Sequence, residues 1–172
     1  MTMDIIDKRI YSCNEAICKN IESLQANERG LLSQNILSQL RNFLECVFLK
    51  IYVASGNSLI ENEYQNIKNA IKFINTLQGK YRFLNQFHKL LQISVSHYTL
   101  DPDSSERLML KYYEYLLRIK TFMKDNYEIE LLENLHKFPL NTDTAFTQYY
   151  EAIEKVLENK AVIARKTIQH GR

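Results

Sequence analysis

Residues 37–52, "LSQLRNFLECVFLKIY", contain the pattern that decides the fold class. Apolar side chains recur there at steps of three and four residues, at Leu40, Phe43, Leu44, Val47, Phe48 and Ile51. This period matches one face of an α-helix and not the two-residue alternation of a strand. Together with its flanks, the stretch predicts a helix from Leu31 to about Ala54, and the following "SGNS" ends it.

The same helical period recurs on both sides of this stretch. It predicts further helices over Ile5 to Leu24, Leu59 to Leu77, Tyr81 to His97 and Asp103 to about Lys124, a short one within residues 126–140, and a long one from Asn141 or Asp143 onward. Asp103 and Glu106 have the spacing of a capping box. No segment alternates with period two. The sequence therefore predicts an all-α fold, a bundle of about six or seven helices in a single domain over residues 1–172.

Composition narrows the range of partners. The chain has 172 residues, of which 45% are hydrophobic, and a formal net charge of +2, which argues against a strongly basic nucleic-acid binder of the histone type. Residues 31–98 nevertheless carry seven basic and three acidic side chains. This local excess indicates either an anionic partner or an ordinary solvated helix face.

The cysteines and the N-terminus predict the compartment. Cys13, Cys18 and Cys46 form an odd set without CxxC spacing, which is typical of a reducing environment. The first residues carry scattered charges and lack the apolar run of a signal peptide, and no stretch of about 18 apolar residues occurs. We therefore expect a cytoplasmic protein without a membrane partner.

Most catalytic chemistries lack their motifs in this sequence. The four histidines are scattered without HxxxH or ExxH spacing, so we expect no metal site and no cofactor. GxxxxGK[ST] and GxSxG are both absent. Five tyrosines, Tyr112, Tyr113, Tyr115, Tyr149 and Tyr150, could stack on bases, but their helical spacing favours packing. What remains is arginine with histidine, from which a metal-free ribonuclease can be built: histidine moves the proton and arginine stabilises the phosphorane.

The dipeptide Arg41-Asn42, followed by Cys46 in "LRNFLEC", resembles the RNxxxH motif of the HEPN superfamily. The resemblance implies a helical bundle, a homodimer with the motif of two subunits face to face, and a metal-independent endoribonuclease or RNA-binding role. Arg41 and Asn42 match the motif, whereas Cys46 stands where the family has histidine. A cysteine is a poor proton carrier at neutral pH, so the resemblance equally implies an inactive descendant that only binds or dimerises.

Two other pairs satisfy a looser Arg-to-His spacing without the asparagine. They are Arg82 with His88 and Arg165 with His170. On a helix, Arg82 and His88 point about 120° apart, so one can be buried while the other is exposed. For Arg41 the structural alternative is an ion pair with Glu45, one turn further along.

A second resemblance covers more of the chain. Residues 81–120, "YRFLNQFHKLLQISVSHYTLDPDSSERLMLKYYEYLLRIK", are similar to the N-terminal helical region of large bacterial proteins that continue into helicase-like P-loop ATPase domains. The resemblance extends over most of residues 31–157. This resemblance implies that the chain is the N-terminal part of a longer protein with an ATPase domain downstream. Its function would then be that of a non-catalytic accessory domain that docks a nucleic acid or a protein. The long last helix fits the same interpretation.

Overall fold

The computed structural model describes residues 3–26, 34–96 and 102–137. The helices found there are α1 (Met3–Ala26), α2 (Gln34–Ala54), α3 (Glu63–Asn75), α4 (Arg82–Ser96) and α5 (Pro102–Tyr127), with 3₁₀ turns at Gly79–Tyr81 and Leu135–Lys137. The described residues contain no strand, which confirms the helical class. Five α-helices in this part of the chain do not support a count of six or seven. The long helix predicted from Asn141 or Asp143 lies outside the described residues.

The short helix predicted within residues 126–140 is wrong for the part that the structure describes. Helix α5 continues to Tyr127, and the chain leaves the helix at Glu128, whose backbone is left-handed with a φ of 56°; Leu132, with a φ of 57°, turns it again further on. Between Glu128 and the last described residue, the 3₁₀ turn at Leu135–Lys137 is the only helical element that follows. Apolar spacing alone cannot reveal such angles, which are rare for residues other than glycine.

Two helices also begin at residues other than those predicted. Helix α3 begins at Glu63 rather than near Leu59, because the Asn62 side chain accepts a hydrogen bond from the Gln65 N–H and so caps the helix. Helix α5 begins at Pro102, a residue type that the first helical position favours. Asp103 therefore lies within the first turn and not at the cap.

Helix α2 lies at the centre of the core and packs on α1, α3 and α4. The apolar stripe of α2, from Leu40 to Ile51, is buried, and its residues Phe43, Leu44, Val47, Phe48 and Ile51 have 0% exposure. Burying a large apolar side chain stabilises a fold by about 1.5–3 kcal/mol. This central position explains why the period of one stretch decides the fold class.

Helices α1 and α2 form an antiparallel hairpin with polar pairs in register along it. Near one end, Lys50 Nζ lies 2.7 Å from Asp7 Oδ1, and the Lys50 side chain is only 9% exposed. Near the other end, the Asn20 side-chain amide donates a hydrogen bond to Gln39 Oε1. The two pairs join residues whose numbers run in opposite directions, as antiparallel helices require. They fix how the residues of α1 between Asp7 and Asn20 align with those of α2 between Gln39 and Lys50.

Helices α4 and α5 pack through aromatic rings. Phe87 stacks on Tyr115 with ring centroids 4.9 Å apart and lies 5.9 Å from Tyr112, while Phe83 and Phe122 meet edge to face. Tyr112 and Tyr113 are buried. These three tyrosines of α5 therefore pack in the fold, as their spacing predicts, whereas Tyr149 and Tyr150 lie outside the described residues.

The segment after α5 returns to α1. The buried Asn14 side chain accepts a hydrogen bond of 2.8 Å from the backbone N–H of Leu132, and the Asn134 side chain donates one of 2.7 Å to the Cys18 carbonyl. Lys120 Nζ donates to the Leu132 carbonyl at 3.2 Å. These bonds satisfy backbone groups that a helix would otherwise have paired.

None of the described helices is both long and apolar enough to cross a bilayer.

Candidate functional site

The candidate site lies on the face of α2 that meets α4. Arg41, Glu45 and Phe48 are separated by four and three residues, so they share this face of the helix. The Phe48 ring packs on the imidazole of His88 from α4, with centroids 5.4 Å apart. The charge of Arg41 acts on the same imidazole. The packing of α2 on α4 thus places Arg41, from the "LRNFLEC" motif, near His88, from the Arg82–His88 pair.

Arg41 is only weakly paired. Its Nε lies 4.0 Å from Glu45 Oε1, at the outer limit of an ion pair and beyond hydrogen-bond distance. The Nε atom is buried and has no hydrogen-bond partner among the described residues, although 38% of the side chain is exposed. Burial raises the pKa of Glu45, and Arg41 only partly opposes that shift. The buried Nε therefore lacks a partner among the described residues, while the exposed part of the side chain places positive charge at the surface.

His88 is the buried member of the pair. It is 4% exposed, and within the described part of the chain its Nε2 has no hydrogen-bond partner. Burial lowers the pKa of His88 below its ordinary value, and the nearby positive charge of Arg41 lowers it further. The imidazole is therefore neutral at pH 7, which is the form that accepts a proton.

Asn42 and Cys46 point away from this face. Asn42 is exposed, and one helical step of about 100° separates its direction from that of Arg41. Cys46 lies about 140° from Arg41 around the helix and faces α1, where its thiol donates a hydrogen bond to Cys13. That hydrogen bond and burial raise the pKa of Cys46. Its position and protonation favour His88 over Cys46 as the proton carrier near Arg41.

The two looser pairs separate in different ways. Arg82 is exposed at the start of α4, whereas His88 is buried, so the chain does not bring their side chains to one surface. Arg165 and His170 lie outside the described residues. Across the part of the chain that is described, no three His, Cys, Asp or Glu side chains converge as metal ligands would.

The pairing of Arg41 with His88 was missed by motif spacing. A motif search seeks arginine and histidine on one segment, whereas these two side chains come from α2 and α4. The sequence held only a weak indication of this pairing: Arg41 and His88 each interrupt the apolar pattern of an amphipathic helix, α2 and α4 respectively. Such interruptions become informative only once the helices are known to pack together.

Comparisons with protein-family models, with curated proteins and with solved structures gave no match. The resemblances to HEPN domains and to helicase-associated helical regions therefore stay predictions.

Proposed function

We propose that this chain is a HEPN-like domain that engages RNA at the α2–α4 interface, as a metal-independent endoribonuclease or as an inactive descendant that only binds. The observation that carries the proposal is the juxtaposition of Arg41 and His88, each with a buried nitrogen that lacks a hydrogen-bond partner among the described residues. Buried polar atoms usually have partners. A ligand phosphate is one partner that suits a half-exposed guanidinium.

The chemistry follows from the two side chains. Neutral His88 accepts the proton of a ribose 2′-hydroxyl, the 2′-oxygen attacks the adjacent phosphorus, and the P–O5′ bond breaks. The leaving 5′-oxygen takes a proton from water, and the imidazolium later returns its own proton to the solvent. Arg41 stabilises the negative charge of the phosphorane. The products are a 2′,3′-cyclic phosphate and a 5′-hydroxyl end. DNA lacks the 2′-hydroxyl and cannot react in this way.

The burial of His88 favours a second candidate function. At 4% exposure and packed on Phe48, the imidazole is also suited to a structural role. Arg41 would then be a surface cation, paired with Glu45 as in the structural alternative. This arrangement fits a non-catalytic helical accessory domain that docks a nucleic acid or a protein for an attached helicase-like ATPase domain.

Cleavage and binding assays in EDTA separate these functions. A labelled single-stranded RNA and its 2′-O-methyl analogue are incubated with the wild type, Arg41→Ala and His88→Gln. Arg82→Ala is the matched control, because it removes an exposed arginine from the helix that carries His88. Light scattering reports the mass in solution, since the resemblance implies a homodimer. Circular dichroism checks that each variant is folded.

Three outcomes are distinct. Cleavage that leaves a cyclic phosphate, requires both Arg41 and His88 and spares the 2′-O-methyl RNA supports the ribonuclease. RNA binding without cleavage, weakened by Arg41→Ala and unchanged by Arg82→Ala, supports the inactive descendant. RNA that neither binds nor is cut by any folded variant overturns the HEPN-like proposal and leaves the accessory domain as the better candidate.

A further inference from the structure

The hairpin of α1 and α2 places two cysteine thiols opposite each other. Cys13 lies seven residues before Asn20 and six after Asp7, while Cys46 lies seven after Gln39 and four before Lys50. The flanking pairs Asp7–Lys50 and Asn20–Gln39 fix the register. Cys13 and Cys46 consequently fall at the same level, both pack against the core, and a side-chain hydrogen bond between them shifts the pKa of each thiol.

We propose that Cys13 and Cys46 form a dithiol that a hydroperoxide oxidises to a disulfide between α1 and α2. Both thiols are half-buried and pack against the core, so a peroxide-sized oxidant has access to them while their surroundings hold them in place. Thiols held at the same level of a fixed antiparallel interface can form a bond of about 2.05 Å without unfolding either helix. This proposal does not depend on RNA binding.

The two cysteines have unequal roles. The thiol of Cys46 donates a hydrogen bond that, against the effect of burial and with help from the charge of Arg9, lowers the pKa of Cys13 to about 7. The same contact and burial raise the pKa of Cys46. Cys13 is therefore the thiolate that reacts first, and Cys46 is the thiol that resolves the product.

The reaction balances with a hydroperoxide as the two-electron oxidant. The Cys13 thiolate attacks one peroxide oxygen, the O–O bond breaks, and hydrogen peroxide gives a sulfenic acid and hydroxide. The Cys46 sulfur then attacks the sulfenic sulfur, its thiol proton neutralises charge on the departing oxygen, and water leaves. Overall, two thiols and one hydrogen peroxide give one disulfide and two waters.

Cys18 supplies a control within the same chain. It is also half-buried on α1, but its thiol contacts Asn14 Oδ1 at 3.8 Å and Glu133 Oε2 at 3.9 Å. Burial, with smaller contributions from nearby carboxylates, raises the pKa of Cys18. Its similar exposure but different electrostatic surroundings make it a matched residue for comparing reactivity.

The test uses the full chain, first reduced and then treated with hydrogen peroxide at pH 7. N-ethylmaleimide blocks the remaining thiols, and mass spectrometry of proteolytic peptides locates the modified cysteines. In the wild type we expect a Cys13–Cys46 crosslink within the monomer and a labelled Cys18. In Cys46→Ser the reaction should stop at a sulfenic acid on Cys13, which dimedone traps. Cys18→Ser should behave as the wild type.

The alkylation rates of the untreated wild type provide a second measurement that needs no variant. At pH 7 a limiting amount of iodoacetamide should modify Cys13 at least several times faster than Cys18. Equal rates, an oxidised product that links Cys13 to Cys18, or crosslinks only between separate molecules would each overturn the proposal.

Discussion

Arg41 on α2 and His88 on α4 form an electrostatically coupled pair at the interface of the two helices, and the charge of the guanidinium disfavours a proton on the buried imidazole. The half-exposed member is the cation and the buried member is the base. The interface thus combines a half-exposed cation at the surface with a buried neutral imidazole beneath it.

Removal of this charge should raise the pKa of His88. In Arg41→Met the imidazole should titrate at higher pH than in the wild type, but still below the ordinary value for histidine, since burial is the larger cause of its shift. Titration of the imidazole resonances by NMR measures the change. Arg82→Met should leave the His88 resonance where it was, and an equal shift in both variants would contradict the coupling.

Acidification should destabilise the fold through His88. Its pKa is lower in the folded than in the unfolded chain, so in the window between these two values the unfolded state binds more protons. The corresponding stability is complete above the ordinary pKa near 6.5 and is lost as the pH falls through the lowered value. Urea unfolding from pH 7 to pH 5 should therefore show a steeper loss in the wild type than in His88→Gln.

The exposed His136 provides the control for this pH dependence. His136→Gln should keep the pH profile of the wild type, because this residue lies outside the α2–α4 interface. If the His88 and His136 variants had the same profile, the acid-sensitive group would be elsewhere in the chain.

The ion pair between Asp7 and Lys50 should matter more to stability than the exposed pair between Arg9 and Glu63. In Asp7→Ala the buried ammonium of Lys50 loses its partner, and we expect a loss of about 1–3 kcal/mol, less than for a fully buried pair because Asp7 is 30% exposed. Arg9→Ala removes the exposed pair with Glu63 and should cost about 0–1 kcal/mol. Chemical denaturation of both variants at pH 7 compares them directly. A larger loss in Arg9→Ala would contradict this ranking.

Asn66 should be essential to the loop before α3. Its buried amide accepts a hydrogen bond from the Ile60 N–H at 2.9 Å and donates one to the Ile60 carbonyl at 2.8 Å. Asn66→Ala leaves both backbone groups without this partner and should cost about 1–3 kcal/mol. The change should appear in thermal unfolding. Asn69→Ala, which breaks a contact between exposed side chains, should cost less than about 0.5 kcal/mol.

Oxidation of the Cys13–Cys46 pair should stabilise the chain. A bond between residues 13 and 46 constrains the unfolded state, and the chain-entropy estimate for a loop of this length is roughly 3–4 kcal/mol. Denaturation of the peroxide-treated and the reduced wild type measures the difference. Cys46→Ser, treated in the same way, should show no such gain. A loss of stability on oxidation would mean that the bond strains the hairpin.

The sequence predicted those features that depend on local apolar period. The apolar residues from Leu40 to Ile51 form the buried centre of the bundle. Their spacing places all of them on one face of α2, so this is the face that the helix buries. The break at "SGNS" also occurs as predicted, with Gly56 at a φ of 93°. Helix starts that depend on one cap, such as Asn62, were less well predicted.

Features that depend on contacts between helices were not predictable in the same way. The charge of Arg41 acts on His88 only because α2 packs on α4, and no spacing within one segment encodes that packing. The thiol pair had a clearer signal. Polar side chains lie at matching levels of two consecutive helices, Asp7 and Asn20 in α1 and Lys50 and Gln39 in α2. An antiparallel alignment of the helices on these residues places Cys13 opposite Cys46.

The return of the segment after α5 to α1 also sets an order of folding. The α1–α2 hairpin connects neighbours along the chain, so it can form early and locally. The bond from the Leu132 N–H to Asn14 joins residues 118 positions apart, and it must wait until nearly all the described helices exist. During synthesis, one polar side of α1 therefore stays open to the solvent after its apolar face is covered. That interval is when a chaperone or a second nascent chain could reach Asn14.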